Sequence, residues 1–111
     1  MRFVRVALLT VILATPLRAV DFKRSDCNAD NSVNIADAVF LLTYLFHGGQ
    51  PSCLDTCDSN DDGNVDIADA VFHLAFLKPP HPPVLPSAPF VTCGPDPTPD
   101  ALDCANYPPC P

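Results

Sequence analysis

Asp26-Cys27-Asn28-Ala29-Asp30-Asn31-Ser32-Val33-Asn34-Ile35-Ala36-Asp37 is answered 32 residues later by Asp58-Ser59-Asn60-Asp61-Asp62-Gly63-Asn64-Val65-Asp66-Ile67-Ala68-Asp69. The same shift carried to Phe46 and Lys78 gives 12 identical pairs in 21 positions. The match is an internal duplication, so one supersecondary unit occurs twice. Each unit has a polar front and an apolar back. In the first back, Ala38, Leu41, Leu42 and Leu45 recur at helical spacing and mark one face. Gly48-Gly49 stops that helix, and Pro79-Pro80 stops its copy. Neither Phe22-Lys23-Arg24-Ser25 nor Gly49-Gln50-Pro51-Ser52-Cys53 is long enough for a full helix leading into the loop. The units are therefore loop–helix, and two short amphipathic helices bury their apolar faces by packing on each other.

Oxygen-bearing side chains fall at loop positions 1, 3, 5, 9 and 12, as Asp26, Asn28, Asp30, Asn34 and Asp37 and again as Asp58, Asn60, Asp62, Asp66 and Asp69. Carboxylate and amide oxygens at this spacing surround a hard cation, with position 7 (Ser32, Asn64) adding a backbone carbonyl. One such match describes a solvated turn equally well, since Asp and Asn favour turns. Two in register, each followed by a matching helix, predict two Ca²⁺ ions. Mg²⁺ keeps its waters and suits so protein-rich a cage poorly. Position 6 needs a sharp turn: Gly63 provides it, and Asn31 tolerates the left-handed backbone that glycine otherwise takes. Position 12 is Asp in both loops, and its short stem must sit close to the helix start, where the helix dipole favours a negative charge. Loop two offers four carboxylates against three in loop one, so site two is expected to fill first.

Charge and composition fit this reading. All 13 acids are aspartate, against 6 basic residues, and eight of the 13 lie in the two loops. That acidity argues against nucleic-acid binding, which needs clustered Lys and Arg. Residues 1–19 have a basic start, an apolar run from Val6 to Ala14 and Ala19 at a cleavage position, the layout of a secretory signal peptide. Its removal takes Arg2, Arg5 and Arg18, giving a charge of 3 − 13 = −10 and a chain without membrane insertion. Export to the cell surface or beyond accommodates six cysteines as disulfides.

Two copies of this loop, each followed by a helix and preceded by none, resemble the type I dockerin. The resemblance covers Phe22 to Leu77. It implies a small all-α fold of two antiparallel calcium-loop/helix (F-hand) repeats related by a pseudo-twofold axis. It also implies a non-catalytic module that folds on two Ca²⁺ and docks onto a cohesin-like domain, in the company of polysaccharide-degrading or surface-anchored systems. The tail from Cys93 to Cys110 resembles that of dockerin-repeat proteins of environmental bacteria. One departure concerns the partner. Loop positions 10 and 11, often Ser-Thr in cellulosomal dockerins, are Ile35-Ala36 and Ile67-Ala68, and the helix positions that often carry Lys-Arg are Leu42-Thr43 and Leu74-Ala75. Either the partner is a different kind of cohesin, or that face is covered by something else, or Ile35 and Ile67 are simply core residues.

The expected organisation is a signal peptide over 1–19, the repeat domain over 22–78 (repeats 26–46 and 58–78) and a Pro/Cys-rich tail over 79–111. The chain is expected to be a monomer. Twelve of the 14 prolines lie in the tail, which also carries the apolar anchors Val84, Leu85, Phe90, Val91, Leu102 and Tyr107. It is expected to wrap across the helices under disulfide clamps, with one helical turn opened by Thr98 and Pro99. Six cysteines permit 15 pairings. A Cys27–Cys57 bridge would clip the loops together at near-equivalent places and leave Cys53 for the tail. His47, His73 and His81 are read as surface residues. With no glutamate and no room for a catalytic domain, an enzyme is disfavoured. The alternative to docking is a purely structural surface domain stabilised by calcium and disulfides.

Overall fold

The helices begin where the loops end because each loop supplies its own cap. In the computed structural model, which describes residues 20–78, 85–98 and 100–110, α1 spans Ile35–His47, α2 Leu54–Cys57 and α3 Ile67–Leu77. Asn34 caps α1: its side chain accepts a hydrogen bond from the Ala36 amide, while Asp37 accepts one from the Asn34 amide. Asp66 and Asp69 repeat this reciprocal box at α3. Such a box satisfies amides that a helix start leaves unpaired. Gly48 ends α1 at φ 80°, a backbone setting that side-chain-bearing residues avoid. The proline stop expected after α3, like the signal peptide, Val84 and His81, falls outside the described residues.

α1 packs on α3. Leu41 and Ala70 are buried between them with Cys27 and Cys57, and Leu42, Tyr44, Leu45 and Val65 close the cluster. The predicted face of α1 is therefore the inner one, and the complete burial of Leu41 is worth about 1.5–3 kcal/mol. In α3 the register place of Leu41 is taken by His73. It is buried, not a surface residue as its polarity suggested. Its Nε2 donates to the Asn34 carbonyl at 2.7 Å, and its ring meets Phe76 edge-on at 4.9 Å. Burial holds its pKa below the ordinary histidine value, so the ring stays neutral. Satisfying one polar group across the helix pair lets a histidine stand in for a leucine.

Three disulfides join Cys27 to Cys57, Cys53 to Cys104 and Cys93 to Cys110. The first is the expected clip between the loops, and the second ties Cys53 to the tail. The tail wraps back onto the domain, although two of its expected anchors, Leu85 and Val91, are exposed. Phe22 and Gly94 exchange both backbone hydrogen bonds, at 3.0 and 3.2 Å. The Leu54 amide donates to Asp103, and the Asn106 amide to Ser52. Phe90 stacks edge-on against Phe76 at 5.6 Å, and Tyr107 is buried in a second cluster with Phe22 and Cys53. The helical turn expected after Thr98 does not form among the described residues. Asp96 and Asp100 instead accept from the amides two positions on, at Thr98 and Leu102, a local turn that competes with helix. No helix among the described residues is long and apolar enough to cross a membrane.

Candidate metal centre

Each loop winds its backbone around its own carboxylates, and the two do so in the same way. In loop one the Asp30 and Asn31 amides donate to the two oxygens of Asp26, at 3.2 and 2.9 Å. In loop two the Asp62 and Gly63 amides do the same to Asp58, at 3.2 and 3.0 Å. Position 3 accepts from the position-5 amide in both loops, at 3.3 Å, and position 5 accepts from the position-7 amide, at 2.9 and 3.0 Å. The amides at positions 3 and 9 donate to Asp37 and to Asp69, so the position-12 carboxylate is held from both sides. Left-handed backbone occurs at position 6, with Asn31 at φ 72° and Gly63 at φ 84°, as the turn requires. It occurs also at position 4, where Ala29 and Asp61 adopt φ 58° and 57°. Nothing in those two side chains announces that second turn.

These bonds bring together one carboxylate oxygen each from Asp26, Asp30 and Asp37, all within 4.8 Å of one another, and likewise from Asp58, Asp62 and Asp69. Asp26, Asp37, Asp58 and Asp69 are buried, whereas Asp30 and Asp62 face solvent. Among the described residues, no lysine or arginine side chain pairs with any of these six. Burial, reinforced by neighbouring aspartates, raises Asp37 and Asp69 to about 7, and burial raises Asp58 as well. A cage of mutually repelling, desolvated carboxylates, held open by backbone amides, fits a divalent cation. Asn28 and Asn60 stand beside each cage, and Ser32 and Asn64 place backbone carbonyls at position 7. The side chains of Asn34 and Asp66 are engaged as helix caps.

Two side chains invisible to the loop pattern lock this arrangement. Tyr107, from the tail, donates its hydroxyl to Asp26 Oδ2. Burial and the adjacent carboxylate push its phenol above the ordinary tyrosine pKa, so it remains a donor. Arg24 is 0% exposed. Its guanidinium donates to the carbonyls of Asp58, Ser87 and Ala88 and to Asp96 Oδ1, and lies 3.4 Å from Asp61 Oδ1. It thus ties loop two to the tail. Only Lys23, Arg24 and Lys78 are basic beyond residue 19, and that scarcity is the one sequence signal that could have singled it out.

The helix faces turned away from the core also repeat. Ile35 and Ile67 are 64% and 57% exposed, so they are not core residues. Val39, Phe40 and Phe46 on α1 and Val71 and Leu74 on α3 are exposed as well. An open groove runs along α1 between Val39, Leu42, Thr43, Phe46 and His47.

The family model of the dockerin type I domain matches residues 24–73. No curated protein and no solved structure matches the chain.

Proposed function

We propose that the chain, whose residues 24–73 match the type I dockerin domain, is a secreted, non-catalytic, calcium-dependent docking module that docks through its exposed apolar helix faces onto a cohesin-like partner. Two Ca²⁺ ions would be held by Asp26, Asn28, Asp30, Ser32, Asn34 and Asp37 and by Asp58, Asn60, Asp62, Asn64, Asp66 and Asp69. When bound, the ions neutralise four units of charge and fix both helix starts. Residues 1–19 would direct export and be removed, leaving the repeat domain from 22 to 78 and the tail from 79 to 111. The setting is that of the family's usual company, polysaccharide-degrading or surface-anchored systems, with a monomeric chain.

The observation that carries this reading is the matched exposure of Ile35 with Ile67 and of Val39 with Val71. Position 10 opens each helix one residue past its cap, so the loop that holds the ion also orients the isoleucine. Large apolar side chains exposed at matching places on both helices of a small acidic protein suit an interaction site. Because both loops present isoleucine and alanine where a Ser-Thr pair is usual, the partner should offer an apolar surface in place of hydrogen-bonding groups. Loop two, with Gly63 and a fourth carboxylate, would fill first.

The test is capture of a recombinant cohesin, and of culture-fluid proteins, on the immobilised calcium-loaded chain, repeated in EDTA. Docking predicts calcium-dependent capture that an Ile35→Asp/Ile67→Asp variant loses while keeping its circular dichroism. The alternative, a purely structural surface domain, predicts calcium-dependent folding with no captured partner.

A further inference from the structure

A third group of aspartates lies outside the calcium-loop spacing. Asp55 comes from α2, and Asp96 and Asp100 come from the tail; one carboxylate oxygen of each lies within 4.8 Å of the others. Asp100 also belongs to a second such group with Asp58 and Asp61, at the outer edge of loop two. Acidic clusters are common on surfaces, where water screens them; this one runs from the partly exposed tail inward to a buried carboxylate. Asp55 is 5% exposed, and its Oδ1 accepts no hydrogen bond. Asp100 Oδ2 is likewise buried without a hydrogen-bond donor.

The nearby cation does not account for them. Arg24 reaches Asp96 Oδ1 at 3.1 Å and Asp61 Oδ1 at 3.4 Å, and its other donors are spent on backbone carbonyls. The guanidinium thus pairs with Asp61 and Asp96, and the carboxylates of Asp55 and Asp100 have no ion pair with it. Unpaired buried charge is strongly unfavourable, and a buried acceptor without a donor adds to the cost. A hard divalent cation removes both penalties at once, because carboxylate oxygens are its preferred ligands.

We propose that Asp55, Asp96 and Asp100 form a third Ca²⁺ site, with Asp61 at its edge, that clamps the proline-rich tail onto α2. Its ligands come from α2 and the tail, which no single loop motif encodes. The inference goes beyond the docking function and does not require the two loops to be filled.

Native mass spectrometry of the disulfide-bonded chain in millimolar calcium tests it, using Ca²⁺ itself as the probe. The expected count for the parent is three ions, and Asp55→Asn and Asp100→Asn should each carry one fewer. Asp37→Asn should also lose one ion, from loop one, and combining it with Asp100→Asn should lose two. If Asp55→Asn fails to fold, Asp100→Asn decides, since Asp100 lies in the partly exposed tail. Counts for the Asn variants equal to the parent's would overturn the third site and mean that bound protons balance the cluster. Loss of an ion in Asp100→Asn with none lost in Asp37→Asn would instead overturn the loop-one assignment alone.

Discussion

Replacing Tyr107 with phenylalanine removes one oxygen atom from the tail and one hydrogen bond from loop one. The ring stays in its cluster with Phe22 and Cys53, so packing is unchanged. Asp26 Oδ2 keeps the Asn31 amide at 2.9 Å and loses the hydroxyl. A hydrogen bond to a charged group contributes about 1.5–3 kcal/mol, and here the acceptor is buried where no water replaces the donor. For a domain of this size each kcal/mol moves the melting temperature by roughly 4–8 °C. Tyr107→Phe should therefore melt at least ~6 °C lower in differential scanning calorimetry, with and without calcium. Because the loosened carboxylate is position 1 of loop one, calcium affinity at that loop should fall and loop two should be unaffected. A melting temperature within about 1 °C of the parent's would refute the idea that the tail supports the loop.

Acid should act in opposite directions on the calcium-free and calcium-loaded chains. In the calcium-free fold Asp37 and Asp69 are raised to about 7, and Asp58 is raised as well, above the ordinary 3.8. The native state then holds more protons than the unfolded chain between about pH 4 and 7, so stability falls as pH rises through that window. Calcium requires the ionised forms, so the loaded protein should gain stability over the same window. Melting curves at pH 4.5, 6 and 7.5 check the sign. Removing the loop clip with Cys27→Ala/Cys57→Ala opens a closed segment of 30 residues and should cost about 3–4 kcal/mol in guanidinium unfolding. An unchanged midpoint would mean that calcium alone holds the loops together.

What could be read in the sequence was what repeats. The period of 32 carried the clustered loop carboxylates, the helix starts and the inner face of α1, because each depends on residues a few positions apart. Asn31 was recognisable as a turn residue for the same reason. Cys27 and Cys57 announced their bridge because the repeat places them at near-equivalent points. The failures share the opposite property. Tyr107 meets Asp26 across 81 residues, and Arg24 meets Asp96 across 72, with no periodic signal to join them. His73 looked like a surface residue because its polarity hid its place in the register of Leu41. The helical turn expected at Thr98 gave way to side-chain turns at Asp96 and Asp100. The outward-facing Ile35 and Ile67 belong to a different case: apolar residues next to a cap suit core and surface equally, and only the packing of α1 on α3 showed that they are not core.

A crystal structure of the disulfide-bonded chain grown with calcium tests the central claim most directly. The account predicts one ion within about 2.3–2.6 Å of oxygens from Asp26, Asn28, Asp30 and Asp37 and the Ser32 carbonyl. It predicts a second ion at the same range from Asp58, Asn60, Asp62 and Asp69 and the Asn64 carbonyl. Water in both cages at saturating calcium, with Asp37 and Asp69 still folded over their loops, would contradict it.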